Sequence, residues 1–455
     1  MPNINIQFDK ILGKMKPMHG VNSGPRTKVF TYDASDLFRQ AGIPISRLHD
    51  VEYPYGSGEF VDIHCVFPNF DADENDPASY NFGLTDCYIA AIREVGSEVF
   101  YRLGESIEHA PVKRHIHPPK DFAKWARICE HIVRHYNEGW ADGHYWNIRH
   151  WEIWNEPDLD VNSDNKRTWS GTVEQFYDFY ETAAKHLKVC FPQLLIGGPA
   201  LAGSVSWATN FLREMQKRNV PMNFFSWHRY ADKVEVMLDR CQQLAQAMEQ
   251  FGYADAEMYI DEWNYMEDWN NQPPSFKKLV GMRGAAFGAA SMIAFQNTRL
   301  DMATYFEADV IKEWCGLFEV QDMSIGSLGH KTSRCLLKPR KTFYSFYAFN
   351  CLYRLGRQVE SKCDKESGIY TCAATNGGNK CAVMLATYRS ALDNTAYTLT
   401  LNALSAGTST VSLYLTDKDH DNECVKTLTC DKKVMKIDIQ LSDEQVWLIT
   451  WESNA

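Results

Sequence analysis

Short β-rich runs alternate with longer amphipathic stretches from about residue 18 to residue 355, and this alternation constrains the fold most. Apolar residues in the longer stretches recur three and four positions apart, as in helices that cover a sheet. Repeated βα units indicate a parallel sheet, and eight of them predict a closed (β/α)8 TIM barrel of the α/β class. The predicted strands centre on residues 18–21, 45–48, 98–101, 150–153, 194–197, 223–226, 258–260 and 302–305. The clearest predicted helices are residues 122–136, 174–190, 207–217, 234–250, 279–297 and 341–353.

A doubly wound open sheet is the main structural alternative to the barrel. Such a sheet carries a glycine-rich phosphate-binding turn after its first strand. Residues 19–25, His-Gly-Val-Asn-Ser-Gly-Pro, have the wrong glycine spacing for that turn and no helix start. The closed barrel is therefore favoured.

After residue 356 the apolar pattern changes to a period of two, which predicts strands. We predict three parts: an N-terminal strand in residues 1–14 that joins an accessory domain, the barrel in residues 15–356, and a C-terminal all-β sandwich in residues 357–455. The predicted sandwich strands are residues 371–375, 381–387, 397–401, 410–415, 434–439 and 446–451.

The net charge limits the partners that the protein can bind, and the first ten residues and the cysteines indicate its cellular compartment. The chain has 47 Lys and Arg against 58 Asp and Glu, a net charge of -11, which argues against nucleic acid or an anionic membrane as partner. Residues 1–10 lack the basic and apolar regions of a signal peptide, and the 13 cysteines lack the dense even spacing of a secreted scaffold. We expect a cytoplasmic protein whose oligomeric state, including a homo-oligomer, is left open.

Two glutamates stand at the ends of predicted strands. Glu156 ends Arg-His-Trp-Glu-Ile-Trp-Asn-Glu at residues 149–156, and Glu262 lies in Glu-Met-Tyr-Ile-Asp-Glu-Trp-Asn at residues 257–264. Barrel enzymes carry their reactive groups at the carboxyl ends of the strands. Two carboxylates that face one cleft suit glycoside hydrolysis, with a gap of roughly 5 Å for a retaining mechanism and roughly 6.5–9.5 Å for an inverting one.

Several segments resemble known glycosidases. Three features resemble the clan of (β/α)8 retaining glycosidases: Trp-Asn-Glu-Pro at residues 154–157, Glu262 on the seventh strand and Ser-Trp-His-Arg-Tyr at residues 226–230. Residues 19–25 and the segment Arg-Leu-His-Asp at residues 47–50 are similar to glycoside hydrolase family 39. That family contains β-xylosidases and α-L-iduronidases, and it carries a β-sandwich after the barrel.

The resemblance implies a role for each matching residue. Glu156 would be the acid/base and Glu262 the nucleophile, with Asn155 on the sugar 2-hydroxyl and Tyr230 hydrogen-bonded to the nucleophile. Arg47, at the end of the second strand, would hold Glu262 ionised, whereas Glu156, flanked by indoles and near that anion, would keep its proton.

Histidines and aromatic residues complete the predicted site. In the family interpretation His49 and His228 bond sugar hydroxyls, although a hydrogen-bonded core position is the common alternative for a single histidine. Five aromatic residues are candidates for stacking on pyranose rings, and about half of them are expected to touch substrate: Trp154, Trp227, Trp263, Tyr265 and Tyr305. We predict no cofactor and no metal, because His131 and His135 have helical spacing but lack the adjacent glutamate of a zinc protease.

The predicted activity is a retaining exo-acting glycoside hydrolase, first of all a β-xylosidase on xylo-oligosaccharides or other plant-type glycans. An arabinose- or galactose-releasing glycosidase, a β-glucosidase and an α-L-iduronidase are alternatives, and so is a catalytically silent carbohydrate-binding protein. Many members of the clan end strand eight with tryptophan, whereas residues 302–307 read Met-Ala-Thr-Tyr-Phe-Glu. This difference leaves the identity of the sugar open.

Overall fold

A computed structural model describes residues 1–25, 33–52, 58–308, 314–324, 334–364, 367–402 and 408–453. After a long first strand, eight parallel strands close into a barrel, as the alternating pattern predicts. The long first strand is β1 (Asn3–Lys14). The eight barrel strands are β2 (Gly20–Asn22), β3 (Ile45–Leu48), β4 (Glu98–Leu103), β5 (His150–Ile153), β6 (Leu195–Leu201), β7 (Phe224–Ala231), β8 (Glu257–Tyr265) and β9 (Met302–Tyr305). The barrel is therefore confirmed.

Helices surround the barrel and cover its apolar outer face. They are α1 (Ser35–Ala41), α2 (Ile63–Val66), α3 (Gly83–Glu94), α4 (Phe122–Glu138), α5 (Val173–Cys190), α6 (Val205–Lys217), α7 (Val234–Gln250), α8 (Gln272–Leu279), α9 (Met282–Phe295) and α10 (Lys341–Tyr353). None of the helices in the described ranges is both long and apolar enough to cross a membrane.

Local sequence explains where the helices begin and end. The Asp121 side chain accepts the backbone N–H of Lys124 and starts α4, and Gly139 ends that helix with a φ of 75°. The predicted helix over residues 279–297 corresponds to α9, which begins at Met282 because the backbone at Gly281 is extended. The preceding helix α8 ends at Leu279 and was not among the predicted helices. Helix α9 is apolar on nearly all sides because it packs against β8 of the barrel and also against β13, β14 and β19 of a second sheet.

That second sheet contains nine strands, in the order β17-β16-β19-β14-β13-β12-β1-β15-β18. Strand β1 pairs antiparallel with β12 and parallel with β15, so the first strand of the chain lies inside the C-terminal sheet. The nine-stranded sheet has its own apolar core, which includes Ile4, Val359, Leu399, Leu413 and Ile449. The other strands are β12 (Arg357–Cys363), β13 (Ile369–Thr375), β14 (Lys380–Thr387), β15 (Thr395–Asn402), β16 (Ser409–Thr416), β17 (Asp421–Cys430), β18 (Val434–Leu441) and β19 (Gln445–Ser453).

All six predicted strands of the C-terminal region are present, and the all-β accessory region is confirmed. The sequence pattern did not indicate β12 or β17, nor a hairpin of β10 (Phe318–Ser324) and β11 (Arg334–Pro339) between β9 and α10. Strand β17 is mostly exposed, so it lacks the alternation that identifies a half-buried strand. The exact domain boundaries at residues 14 and 356 stay predictions.

Candidate active site

A strained turn after β5 brings the carboxylate of Glu156 to the barrel mouth. Trp154 and Glu156 have φ angles of 74° and 48°, in the left-handed region that non-glycine residues rarely adopt. The backbone N–H of Glu156 donates to the carbonyl oxygen of Ala200 at 2.8 Å. The Thr168 hydroxyl donates to the Glu156 carbonyl at 2.6 Å. These two bonds hold the turn in place.

The carboxylate of Glu262 lies next to that of Glu156. Its side chain is 6% exposed, and its Oε1 accepts a hydrogen bond of 2.6 Å from the Tyr230 hydroxyl. One carboxylate oxygen of Glu156, one of Glu262 and a ring nitrogen of His228 all lie within 4.8 Å of one another. The two glutamates therefore face a common point, as their positions on the fourth and seventh barrel strands predict.

His228 stands between the two carboxylates. Its Nδ1 is 2.8 Å from Glu156 Oε1 and 3.5 Å from Glu262 Oε2, and its Nε2 is 3.6 Å from Asp261 Oδ2. Burial alone would lower the pKa of His228, but the carboxylates of Glu262 and Asp261 raise that pKa well above its usual value. The His228 imidazole, with its pKa raised by these carboxylates, therefore lies between the two glutamates.

Arg47 neutralises buried acids that the sequence analysis did not single out. Its Nη2 is 2.7 Å from Glu152 Oε2, its Nε is 3.1 Å from Asp261 Oδ2, and its Nη1 is 3.7 Å from Glu262 Oε2. Nη2 also donates to Asn155 Oδ1 at 2.8 Å. The guanidinium therefore pairs more closely with Glu152 and Asp261 than with Glu262, and it fixes the orientation of the Asn155 amide.

The electrostatic balance differs from the expectation that Arg47 keeps Glu262 ionised. Burial raises the pKa of Glu262 to about 7, and Glu156 adds to this effect while His228 and Arg47 oppose it. The hydrogen bond from Tyr230 also lowers the pKa of Glu262. Burial likewise raises the pKa of Glu152, to about 8. Burial disfavours the anion at Asp261 as well, but Arg47 and His228 hold the pKa of that carboxyl below its usual range.

Four of the five aromatic residues predicted to stack on sugar lie away from the two glutamates. Trp227, Trp263, Tyr265 and Tyr305 are buried in the large apolar core. The Trp263 ring contacts Phe295 of α9, and the Tyr305 ring contacts Phe346 of α10. Glu262 points into the barrel, so the next side chain along β8 points outward. The structure brings none of these four next to the glutamates, and their predicted contact with substrate is corrected to core packing.

Family membership follows from comparison of the sequence with known protein families. The model of glycosyl hydrolases family 39 matches residues 4–311. The chain belongs to glycosyl hydrolases family 39. This match spans the barrel strands and both glutamates of the site.

Relatives of this family 39 protein include two beta-xylosidases. The one from Caldicellulosiruptor saccharolyticus is 25% identical over 331 residues, which are 68% of this chain and 64% of that protein. The one from Geobacillus stearothermophilus is 27% identical over 281 residues, 55% of this chain and 51% of that protein. The matches thus span 64% and 51% of the length of these curated relatives. The crystal structure of a glucosidase from Croceicoccus marinus has a TM-score of 0.81 at 22% identity over 100% of both chains, which shows a shared fold.

Other aromatic rings lie near the site of this family 39 protein. Trp269, 48% exposed, meets the Tyr230 ring edge-on at 5.0 Å. His49 Nε2 lies 3.7 Å from Glu262 Oε2, and its ring is 6.3 Å from that of Phe306, which in turn neighbours Trp314. The sequence analysis missed Trp269 and Trp314. Their position in the segments after the seventh and eighth barrel strands is the sequence signal that could have identified them.

Glu152 and Asp261 were also missed as members of the site. Each is an acidic residue that follows apolar residues in a buried barrel strand, and each is fully buried. A charged residue in such a run needs a partner inside the barrel, and Arg47 is that partner. The Ser226 hydroxyl also donates to Glu152 at 2.6 Å. The two ion pairs therefore join the second, fourth and seventh barrel strands through one guanidinium.

Proposed function

We propose that this protein is a retaining, exo-acting glycoside hydrolase that works by double displacement, with Glu262 as the nucleophile and Glu156 as the acid/base. The observation that carries the proposal is the approach of the two carboxylates, which have oxygen atoms within 4.8 Å of each other. Retaining enzymes hold these groups roughly 5 Å apart, whereas inverting enzymes leave roughly 6.5–9.5 Å for a water molecule.

The surroundings of Glu262 suit a nucleophile. Tyr230 donates to Oε1, so Oε2 is the oxygen that can attack the anomeric carbon. His228 Nδ1 lies 3.5 Å from Glu262 Oε2, and the raised pKa of His228 favours the protonated imidazole that stabilises a carboxylate there. Attack forms a glycosyl ester and removes the negative charge from Glu262. The hydrogen bond from Tyr230 is then weakened, and the ester becomes the intermediate that water hydrolyses.

Glu156 suits the complementary role. In the first step its carboxylic acid donates a proton to the leaving oxygen, and His228 Nδ1, 2.8 Å away, orients it. Once Glu262 is esterified, the nearby negative charge is gone and Glu156 acts as base toward the attacking water. Asn155, oriented by Arg47, is in place to contact the sugar 2-hydroxyl.

The proposed substrates are β-xylosides, in particular xylo-oligosaccharides. Support comes from the two relatives of 25% and 27% identity that are named beta-xylosidase. Arabinose, galactose, glucose and uronic acid glycosides are the alternatives. A sugar with a hydroxymethyl group on its fifth carbon requires more space than a xylose ring does. A sugar with a carboxylate group there requires a cation in the site.

The test is hydrolysis of nitrophenyl β-xyloside, α-L-arabinosides, β-glucoside, β-galactoside and a uronide analogue, with the product anomer followed by NMR. We expect release of one xylose unit with retained configuration. Glu262→Ala should abolish turnover, and azide should restore a product of inverted configuration. Glu257→Ala, at the opposite end of β8, is the matched control and should remain active. Full activity of Glu262→Ala, or an inverted product from the wild type, would refute the mechanism.

A cytoplasmic location is part of the proposal. Cys129, Cys190 and Cys351 are free thiols, which a reducing compartment favours. Cell fractionation of the native source with an antibody to the protein tests this location, and recovery from the extracellular fraction would contradict it.

A further inference from the structure

A cluster of metal-ligating side chains lies outside the barrel, among the helices. Asp86 is in the first turn of α3, His135 is near the end of α4, and His144 lies in residues 139–149, which connect α4 to β5. One ligand atom of each lies within 4.8 Å of the other two. The sequence pairs His135 with His131 by helical spacing, but the fold pairs it with Asp86 of α3 and with His144 of the connection after α4.

The His135 ring is held in an orientation that suits a metal ligand. Its Nδ1 is 2.9 Å from the carbonyl oxygen of Trp140, so Nδ1 carries the ring hydrogen and donates it. Its Nε2 then faces Asp86 Oδ1 at 3.0 Å. Metal-binding histidines commonly donate the other ring N–H to a carboxylate or a backbone carbonyl in this way. The Phe82 ring stacks on the imidazole at 3.6 Å and fixes its plane.

The His144 ring points at the same carboxylate. Its Nε2 is 3.7 Å from Asp86 Oδ2, is shielded from solvent and has no hydrogen-bond partner among the described residues. Its ring stacks on Trp146 at 3.7 Å. Two imidazole nitrogens thus converge on one carboxylate. Their distances from it, 3.0 and 3.7 Å, lie on either side of the ~3.4 Å between ligands of tetrahedral zinc with bonds of about 2.0–2.1 Å.

Two other clusters of similar composition already contain a cation. Arg134 binds Glu130 at 2.7 Å in the cluster of Glu130, His186 and Cys190. Arg102 pairs with Asp62 beside His64 and Glu105. No described Lys or Arg forms an ion pair with Asp86, within the ranges that the structure covers. Its two histidine neighbours are the ion-pair partners found there.

We propose that Asp86, His135 and His144 bind one Zn²⁺ ion. Two imidazoles and a carboxylate favour zinc and other late first-row metals over Ca²⁺ and Mg²⁺, which prefer oxygen ligands. An open groove that includes Gly139 and Asp142 reaches the cluster, so the fourth position faces solvent and takes water. The ion ties α3 and α4 to the connection before β5, the strand that leads to Glu156, and therefore stabilises this side of the barrel.

The test uses the full chain after chelator treatment and dialysis. Calorimetric titration with ZnCl₂ should show one saturable site, and Zn²⁺ should raise the Tm because it binds the folded state. Titration with Co²⁺ should give visible absorption bands of a tetrahedral site, a readout that needs no variant. Loss of an outer-shell partner costs about 10–100-fold in metal affinity, so Asp86→Asn and His144→Gln should each weaken binding at least about 100-fold.

Matched controls assign the site. His186→Gln removes a ligand of the neighbouring cluster, and Glu262→Gln alters the barrel cluster, so both should bind Zn²⁺ as the wild type does. Loss of binding in either control, with binding kept in Asp86→Asn, would place the ion elsewhere and overturn the proposal. Absence of a saturable zinc signal and of a cobalt spectrum in the wild type would show that these three side chains form an ordinary ion-pair cluster. Glycosidase activity does not enter any of these readouts.

Discussion

The phenolic hydroxyl of Tyr230 donates a 2.6 Å hydrogen bond to Oε1 of Glu262, across the neighbouring strands β7 and β8. Burial raises the pKa of Glu262 to about 7, and this bond works against burial because it stabilises the carboxylate form. Tyr230 therefore helps to decide the pH at which the proposed nucleophile is ionised.

Tyr230→Phe should lower kcat/KM about 10–100-fold, because a hydrogen bond to a charged group contributes about 1.5–3 kcal/mol. Removing a bond to the charged form raises the pKa of Glu262, so the acid limb of the kcat/KM profile should move to higher pH. Profiles on an aryl xyloside check this shift. Tyr265→Phe, whose hydroxyl bonds Glu267 instead, is the control and should keep the wild-type acid limb.

Glu156→Ala should discriminate among substrates by leaving group. General acid catalysis contributes about 10²–10⁴-fold, so xylobiose hydrolysis should fall by that factor while the first step on dinitrophenyl xyloside stays near wild type. Azide should accelerate turnover and give a glycosyl azide of retained configuration, the opposite of the Glu262→Ala product. An equal loss on good and poor leaving groups would rule out Glu156 as the acid.

Glu262→Gln should stabilise the fold at neutral pH. The pKa of Glu262 is raised from 4.5 to about 7 in the folded state, so the wild type loses stability as pH rises through that window. The amide does not ionise, and the variant should gain about 1–3 kcal/mol relative to wild type at pH 8 and little at pH 4.5. Thermal unfolding at the two pH values measures the difference. A gain of equal size at both would exclude ionisation of Glu262 as its cause.

Arg47→Ala should destabilise the barrel by about 3–5 kcal/mol, because it leaves Glu152 and Asp261 buried without their cation. Denaturant titration provides the measurement. Arg39→Ala is the control, since Arg39 is 41% exposed and pairs with the exposed acids Asp36 and Glu94, and it should change stability by less than about 1 kcal/mol.

Strand β1 offers a matched pair of isoleucines. Ile6 is fully buried in the core of the nine-stranded sheet, whereas Ile11 on the same strand is 53% exposed. Ile6→Ala should cost about 2–5 kcal/mol and Ile11→Ala much less, because only the first leaves a cavity. Denaturant titration compares the two. Similar losses in both variants would contradict the packing of β1 in this sheet.

The local sequence determined the barrel, the accessory strands and the two glutamates. Periodicity of 3.6 or of two follows from which side of an element is buried, so it can be read without knowing the partner. A carboxylate at the end of an apolar run likewise lies at a strand end. The start of the predicted helix over residues 279–297 shows the limit. Helix α9 lies between two sheets and is apolar on nearly all sides, so the sequence pattern gives no signal that the helix begins only after Gly281.

Only the tertiary structure decided which side chains meet. Trp263 follows Glu262 directly, yet one packs against α9 and the other faces the site, because successive side chains of a strand point to opposite faces. Asp86 and His144 are far apart in the chain, yet the fold brings His144 Nε2 to 3.7 Å from Asp86 Oδ2. The burial of Glu262, which raises its pKa, also depends on neighbours from several strands. Short-range sequence patterns reflect local burial, whereas distances and charge balance arise from contacts between residues that are remote in sequence.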